Sequence, residues 1–128
     1  MWVCLNDCFL SIVAKDCARS EVLVRARRSG DIQKIFPEAR VEVGNTTDYR
    51  YRARVDRRLV ADAVAAEVMR INYPNFKNSV TEKPLHAAYL RVWNAMADLQ
   101  PGARQDLLKI HPLSGSPFPK RRKRKAKR

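Results

Sequence analysis

Pro112, Pro117 and Pro119, followed by a run in which eight of nine residues are Lys or Arg, divide this chain into a part that can build a core and a part that cannot. Prolines at that density stop a helix, and a run of like charges without apolar partners repels itself into an unfolded state. The expected organisation is an α+β globular domain over residues 1–102, a Pro/Ser-containing linker over 103–119 and a disordered polybasic tail over 120–128. Charge follows the same division. Residues 1–100 carry 16 Lys and Arg against 12 Asp and Glu, a net of +4, whereas residues 101–128 carry 10 against 1, a net of +9. Asymmetry of this kind marks a basic arm on a nearly balanced body.

The first hundred residues are enough for one core, since a domain of that size buries roughly 60–70% of the surface its unfolded chain exposes. No apolar run approaches the ~18–20 residues that span a bilayer. The opening residues lack the basic segment and small-residue cleavage site of a signal peptide. The expectation is a cytoplasmic protein with no membrane partner. Cys4, Cys8 and Cys17 are odd in number and lack zinc-site spacing, while His86 and His111 stand apart. They read as reduced thiols and isolated imidazoles, with no metal and no cofactor.

Periodicity predicts the elements. Residues 8–14 form a strand, with residues 2–5 joined to it or preceding it through a bulge. Residues 21–27 alternate with period two, and so do residues 49–55. Between them, Ser29 or Gly30 starts a short helix that Pro37 closes, a strand covers 39–43, and residues 44–48 make a hairpin turn. Asp56 caps a helix carrying Val60, Ala63, Val64, Val68 and Ile71. Pro84 opens another, with Leu85, Ala88, Tyr89, Val92, Met96 and Leu99 as its inner face. The order β-β-α-β-β-α-α implies an antiparallel four-stranded sheet with helices on one face.

Two features carry the functional expectation. Lys120, Arg121, Arg122, Lys123, Arg124, Lys125, Lys127 and Arg128 would release counterions from nucleic acid, with a salt slope of about −7 if all eight met duplex phosphates. Such contacts position a protein without reading sequence. Arg25 with Arg27, and Arg50 with Arg52 and Arg54, fall opposite the apolar residues of their strands. If those strands share a sheet, five guanidinium groups point the same way, with Phe9, Ser11 and Val13 on that side. A basic sheet with an aromatic residue is the layout that tracks single-stranded nucleic acid. The plainer reading is a solvated face partly neutralised by Glu42 beside Arg40. The loop over residues 72–79 holds two aromatics and three asparagines, which read as core anchors and helix caps ahead of a recognition edge. His86, Tyr89 and Trp93 read as packing. No phosphate-binding glycine loop, Gly-x-Ser-x-Gly or His-Glu-x-x-His is present, so the chain reads as non-enzymatic.

The stretches Phe9-Leu10-Ser11-Ile12-Val13, Leu23-Val24-Arg25-Ala26-Arg27, Asp48-Tyr49-Arg50-Tyr51-Arg52-Ala53 and Tyr73-Pro74-Asn75-Phe76-Lys77-Asn78-Ser79-Val80, with the helix bearing His86, Tyr89 and Trp93, carry a resemblance. Together they resemble a family of small uncharacterised bacterial proteins similar to ones found near plasmid or phage genes. The resemblance implies no activity, and the basic run lies outside it. The leading expectation is an accessory protein that binds nucleic acid or a ribonucleoprotein. The competing one is a mobile-element interaction module that docks on a host or phage protein and inhibits or modifies a nucleic-acid machine, or a small regulatory partner.

Overall fold

A computed structural model describes residues 1–45 and 48–100. The expected linker and polybasic tail lie outside the described residues, as does the boundary expected at residue 102. Among the described residues there are five strands, β1 (Trp2–Cys4), β2 (Phe9–Val13), β3 (Glu21–Ala26), β4 (Glu42–Val43) and β5 (Tyr51–Asp56). The helices are α1 (Asp31–Ile35), α2 (Arg57–Met69), α3 (Phe76–Ser79) and α4 (Lys83–Ala97). The strands form one sheet in the order β1-β2-β3-β5-β4, and every pairing is antiparallel. Residues Met1–Arg91 make one compact unit, and a second begins at Val92, within α4.

The sheet thus has five strands where four were expected. The extra one is β1, which Asn6 and Asp7 turn back onto β2, with Cys4 opposite Phe9 and the Leu5 amide donating to the Cys8 carbonyl at 2.9 Å. A strand of three residues shows too little periodicity to be separated from its neighbour by pattern alone. The expected strand over 39–43 contracts to the two residues of β4, an edge held to β5 by Gly44 N–H donating to the Arg50 carbonyl at 2.8 Å.

Helices also flank both faces of the sheet, not one. On the first face Leu10, Ile12, Val22, Val24, Ala26, Ala53 and Val55 pack beneath Ile32 and Phe36 at α1 and Val60 of α2. On the second, Cys4 and Phe9 lie against Phe76 of α3, Val80, and Leu85 and Tyr89 of α4. The second helical cover has a direct cause. The β1–β2 hairpin is apolar on both sides, and bare Phe9 would lose about 1.5–3 kcal/mol of burial.

Two sequence-legible caps hold. Asp56 accepts from the amides of Arg58 at 2.8 Å and Leu59 at 3.2 Å, and Asn75 accepts from Asn78. Tyr73, Phe76 and Tyr89 form an aromatic chain, so the 72–79 loop serves as core anchor and cap. The helical stripes end sooner than expected. Val60 is buried and Val64 packs beside it, but Val68 and Ile71 are exposed; on α4 Leu85 and Tyr89 are buried, whereas Val92 and Met96, and Leu99 beyond its end, are exposed.

An ion cluster missed by the sequence reading ties this scaffold together. Arg28 donates twice to buried Asp31, at 3.0 and 3.1 Å, once to Glu82 at 2.5 Å and once to the Asp7 carbonyl at 2.9 Å. Lys34 also donates to the Asp7 carbonyl, at 2.6 Å. The first hairpin, α1 and the start of α4 meet at this guanidinium, whose proton affinity the Asp31 hydrogen bond raises. Gly30, just before α1, has φ +85°, a left-handed conformation that glycine adopts without strain.

Candidate nucleic-acid interface

The pairing register assembles a basic patch on the second sheet face. Arg25 lies opposite Arg52 and Leu23 opposite Arg54, so Arg25, Arg52 and Arg54 share one side of two adjacent strands. One register line crosses all five strands: Trp2, Ser11, Arg25, Arg52 and Glu42. Arg27 follows the end of β3, and Arg50, which is exposed, precedes β5. The two strands do share a sheet, as the expectation required, but only three of the five arginines stand within them.

The guanidinium groups are held in different ways. Arg25 donates to Ser11 Oγ at 2.8 Å and lies over the Tyr49 ring, 4.3 Å from its centroid. Arg27 lies over the same ring at 4.6 Å and donates to the Asp48 carbonyl. Two cations against one ring face a shared quadrupole, which lessens the repulsion of neighbouring positive charges. Tyr49 is only 3% exposed, so these contacts form in a partly dry setting. Arg52 Nε donates to the Tyr49 carbonyl at 3.1 Å. Arg54 donates to the Asp16 carbonyl at 2.7 Å and to Glu42 at 2.9 Å.

Glu42 and Asp48 are the carboxylates paired with these arginines, on Arg54 and Arg27 respectively. The partial neutralisation by Glu42 is therefore present, whereas Arg25 and Arg52, side by side, have no carboxylate within salt-bridge distance among the described residues. Directly opposed like charges destabilise a strand pair, so this arrangement favours an anion above it. Arg25 Nε is in addition buried without a hydrogen-bond partner among the described residues. The basic character belongs to one end of the face, because Glu21 lies opposite Asp56 at the other.

Phe9 and Ser11 do project to this side, but neither is available as a stacking surface. Phe9 packs under α3 and α4, and Ser11 is buried beside Arg25. The exposed aromatic is Trp2, 65% accessible at the β1 end of the register line. Sequence reasoning passed over it because its strand went unresolved. Lys120, Arg121, Arg122, Lys123, Arg124, Lys125, Lys127 and Arg128 lie outside the described residues.

Burial, with lesser contributions from Asp7 and Asp31, pushes the Cys8 thiol up to about 12, and burial also raises Cys4. The buried Tyr89 hydroxyl, likewise raised by burial, donates to the Cys8 carbonyl at 2.7 Å. His86 Nδ1 lies 3.1 Å from the Val80 carbonyl. Open apolar grooves border α2, one of about 450 Å³ lined in part by Phe36, Val55 and Leu59, another of about 350 Å³ lined in part by Ile12, Val60 and Val64. No described helix is long and apolar enough to cross a membrane. No protein-family model, curated protein or solved structure matches the chain.

Proposed function

We propose that this chain is a non-enzymatic accessory protein that binds nucleic acid, or a ribonucleoprotein, through its arginine-bearing sheet face and the basic run over residues 120–128. The observation that carries the reading is the cross-strand placement of Arg25, Arg52 and Arg54, beside Arg27, with carboxylate partners for only part of the set. The basic run supplies attraction at long range, and the face supplies an oriented surface.

The full chain is tested by fluorescence anisotropy with labelled oligonucleotides from ~50 mM salt upward. Deleting residues 120–128 sharply weakens binding and flattens its salt dependence. Replacing Arg50, Arg52 and Arg54 together with Gln weakens it further and lowers the slope by up to about 3, near 0.9 per lost phosphate contact. Affinity unchanged by both alterations overturns the proposal.

One observation favours a second reading, a module that docks on a host or phage protein and alters a nucleic-acid machine. Val68, Met69 and Ile71 are exposed together at the end of α2 and just beyond it. A defined complex that survives nuclease and high salt selects that reading over direct nucleic-acid binding.

A further inference from the structure

We infer that the sheet face takes single-stranded nucleic acid in preference to duplex, with Trp2 as the platform on which a base stacks. The inference rests on the face being a nucleic-acid surface and adds the class of substrate.

Register gives the first argument. Trp2 and Arg25 occupy one line across the sheet with Ser11 between them, and Arg52 lies one strand further. At about 4.8 Å per strand, the backbone at Trp2 is about 10 Å from that at Arg25 and about 14 Å from that at Arg52. That interval suits a base on the indole with phosphates of the adjoining nucleotides over the arginines.

Exposure gives the second. Tryptophan is on average strongly buried, yet this one keeps 65% of its surface accessible. Its ring contact with Phe9 is T-shaped, with an interplanar angle of 77° and centroids 5.7 Å apart. In a T-shaped pair at most one ring is covered on a face, and then on one face only. At least one indole face therefore remains free of Phe9. Phe9 is itself locked by α3 and α4, so it buttresses the indole.

Substrate geometry gives the third. Bases of a duplex are stacked on one another and offer no ring face to a side chain, whereas an unpaired base does. An exposed indole on the cationic line adds affinity for unpaired strands alone.

The test uses the full chain carrying Trp93→Phe, which leaves Trp2 as the sole indole because the sequence has two tryptophans. Intrinsic fluorescence is titrated with oligo(dT) and with a duplex of equal length, and anisotropy of labelled strands measures total binding in parallel. Oligo(dT) should quench strongly and duplex weakly. Trp2→Ala should weaken oligo(dT) binding about tenfold and leave duplex binding unchanged, with Trp2→Phe restoring part of the loss. Circular dichroism checks that the Ala variant folds. Full-strength oligo(dT) binding without quenching, or an equal loss for both substrates in Trp2→Ala, overturns the inference while leaving the sheet face as a polyanion surface. Binding of both substrates that is indifferent to Arg50, Arg52 and Arg54→Gln removes the underlying reading as well.

Discussion

Arg28 and the arginines of the sheet face sit in the same domain and are used in opposite ways. Arg28 has every direction of its guanidinium met by Asp31, Glu82 or the Asp7 carbonyl, and the buried carboxylate beneath it also faces Lys34. On the face, Arg25 and Arg52 stand side by side with a hydroxyl, a ring and a carbonyl for company. Carboxylates close the first cluster and leave the second open at its centre. The contrast separates arginine enclosed by carboxylates from arginine without one beside it, which composition cannot do.

The largest effect should come from breaking the closed cluster. Asp31→Ala removes the buried carboxylate that Arg28 and Lys34 share and leaves them Glu82 and Asp7, and denaturant unfolding should show a loss of about 2–4 kcal/mol. That is below the full figure for a buried pair, because a third of the Arg28 side chain stays in water. Nucleic-acid affinity per folded molecule should stay the same. An equal loss of affinity would dissolve the distinction between the two regions.

A smaller effect sharpens the same contrast through pH. Cys8 is held protonated by burial and, secondarily, by Asp7 and Asp31. The unfolded thiol loses its proton near pH 8.5 and the folded one near pH 12, so over that interval the unfolded state binds fewer protons. This contribution to stability is complete below about pH 8.5 and is lost as pH rises toward 12. Tyr89 acts in the same sense above its ordinary value of about 10. Urea midpoints compared between pH 8 and 9.5 should fall in the parent protein and fall less in Cys8→Ala.

The smallest stability change should follow substitution on the open face. Arg27 and Arg54 keep 55% and 41% of their side chains exposed, and their ion pairs with Asp48 and Glu42 are of the surface kind. Arg27→Gln with Arg54→Gln should shift thermal unfolding by no more than about 1 kcal/mol while lowering affinity for oligonucleotides. A large destabilisation would move these residues into the structural class with Arg28.

What could be read from the chain follows from how local each signal is. Period two in β3 and β5 located Arg25, Arg52 and Arg54 on one side, and the structure adds the register that makes them neighbours. Asp56 and Asn75 were legible as caps because a cap and its amides lie within three residues. The Arg28 cluster joins residues 7, 28, 31, 34 and 82; the i,i+3 spacing of 28, 31 and 34 is local, but nothing in the sequence brings Asp7 and Glu82 to them. Trp2 was overlooked because a three-residue strand shows almost no pattern, although the Asn6-Asp7 turn was there to reveal a hairpin. The apolar stripes overstated the core, since Val68 and Ile71 repeat correctly but stay exposed.

The Tyr89 hydroxyl closing on the Cys8 carbonyl spans 81 positions in the chain. During synthesis the first hairpin therefore emerges long before the residues that seal it, and Cys4 and Phe9 face the ribosome's surroundings until α4 has left the exit tunnel. A chain interrupted ahead of Glu82 would lack the Leu85 and Tyr89 that cover Cys4 and Phe9, and exposed apolar surface of that kind is what chaperones act on.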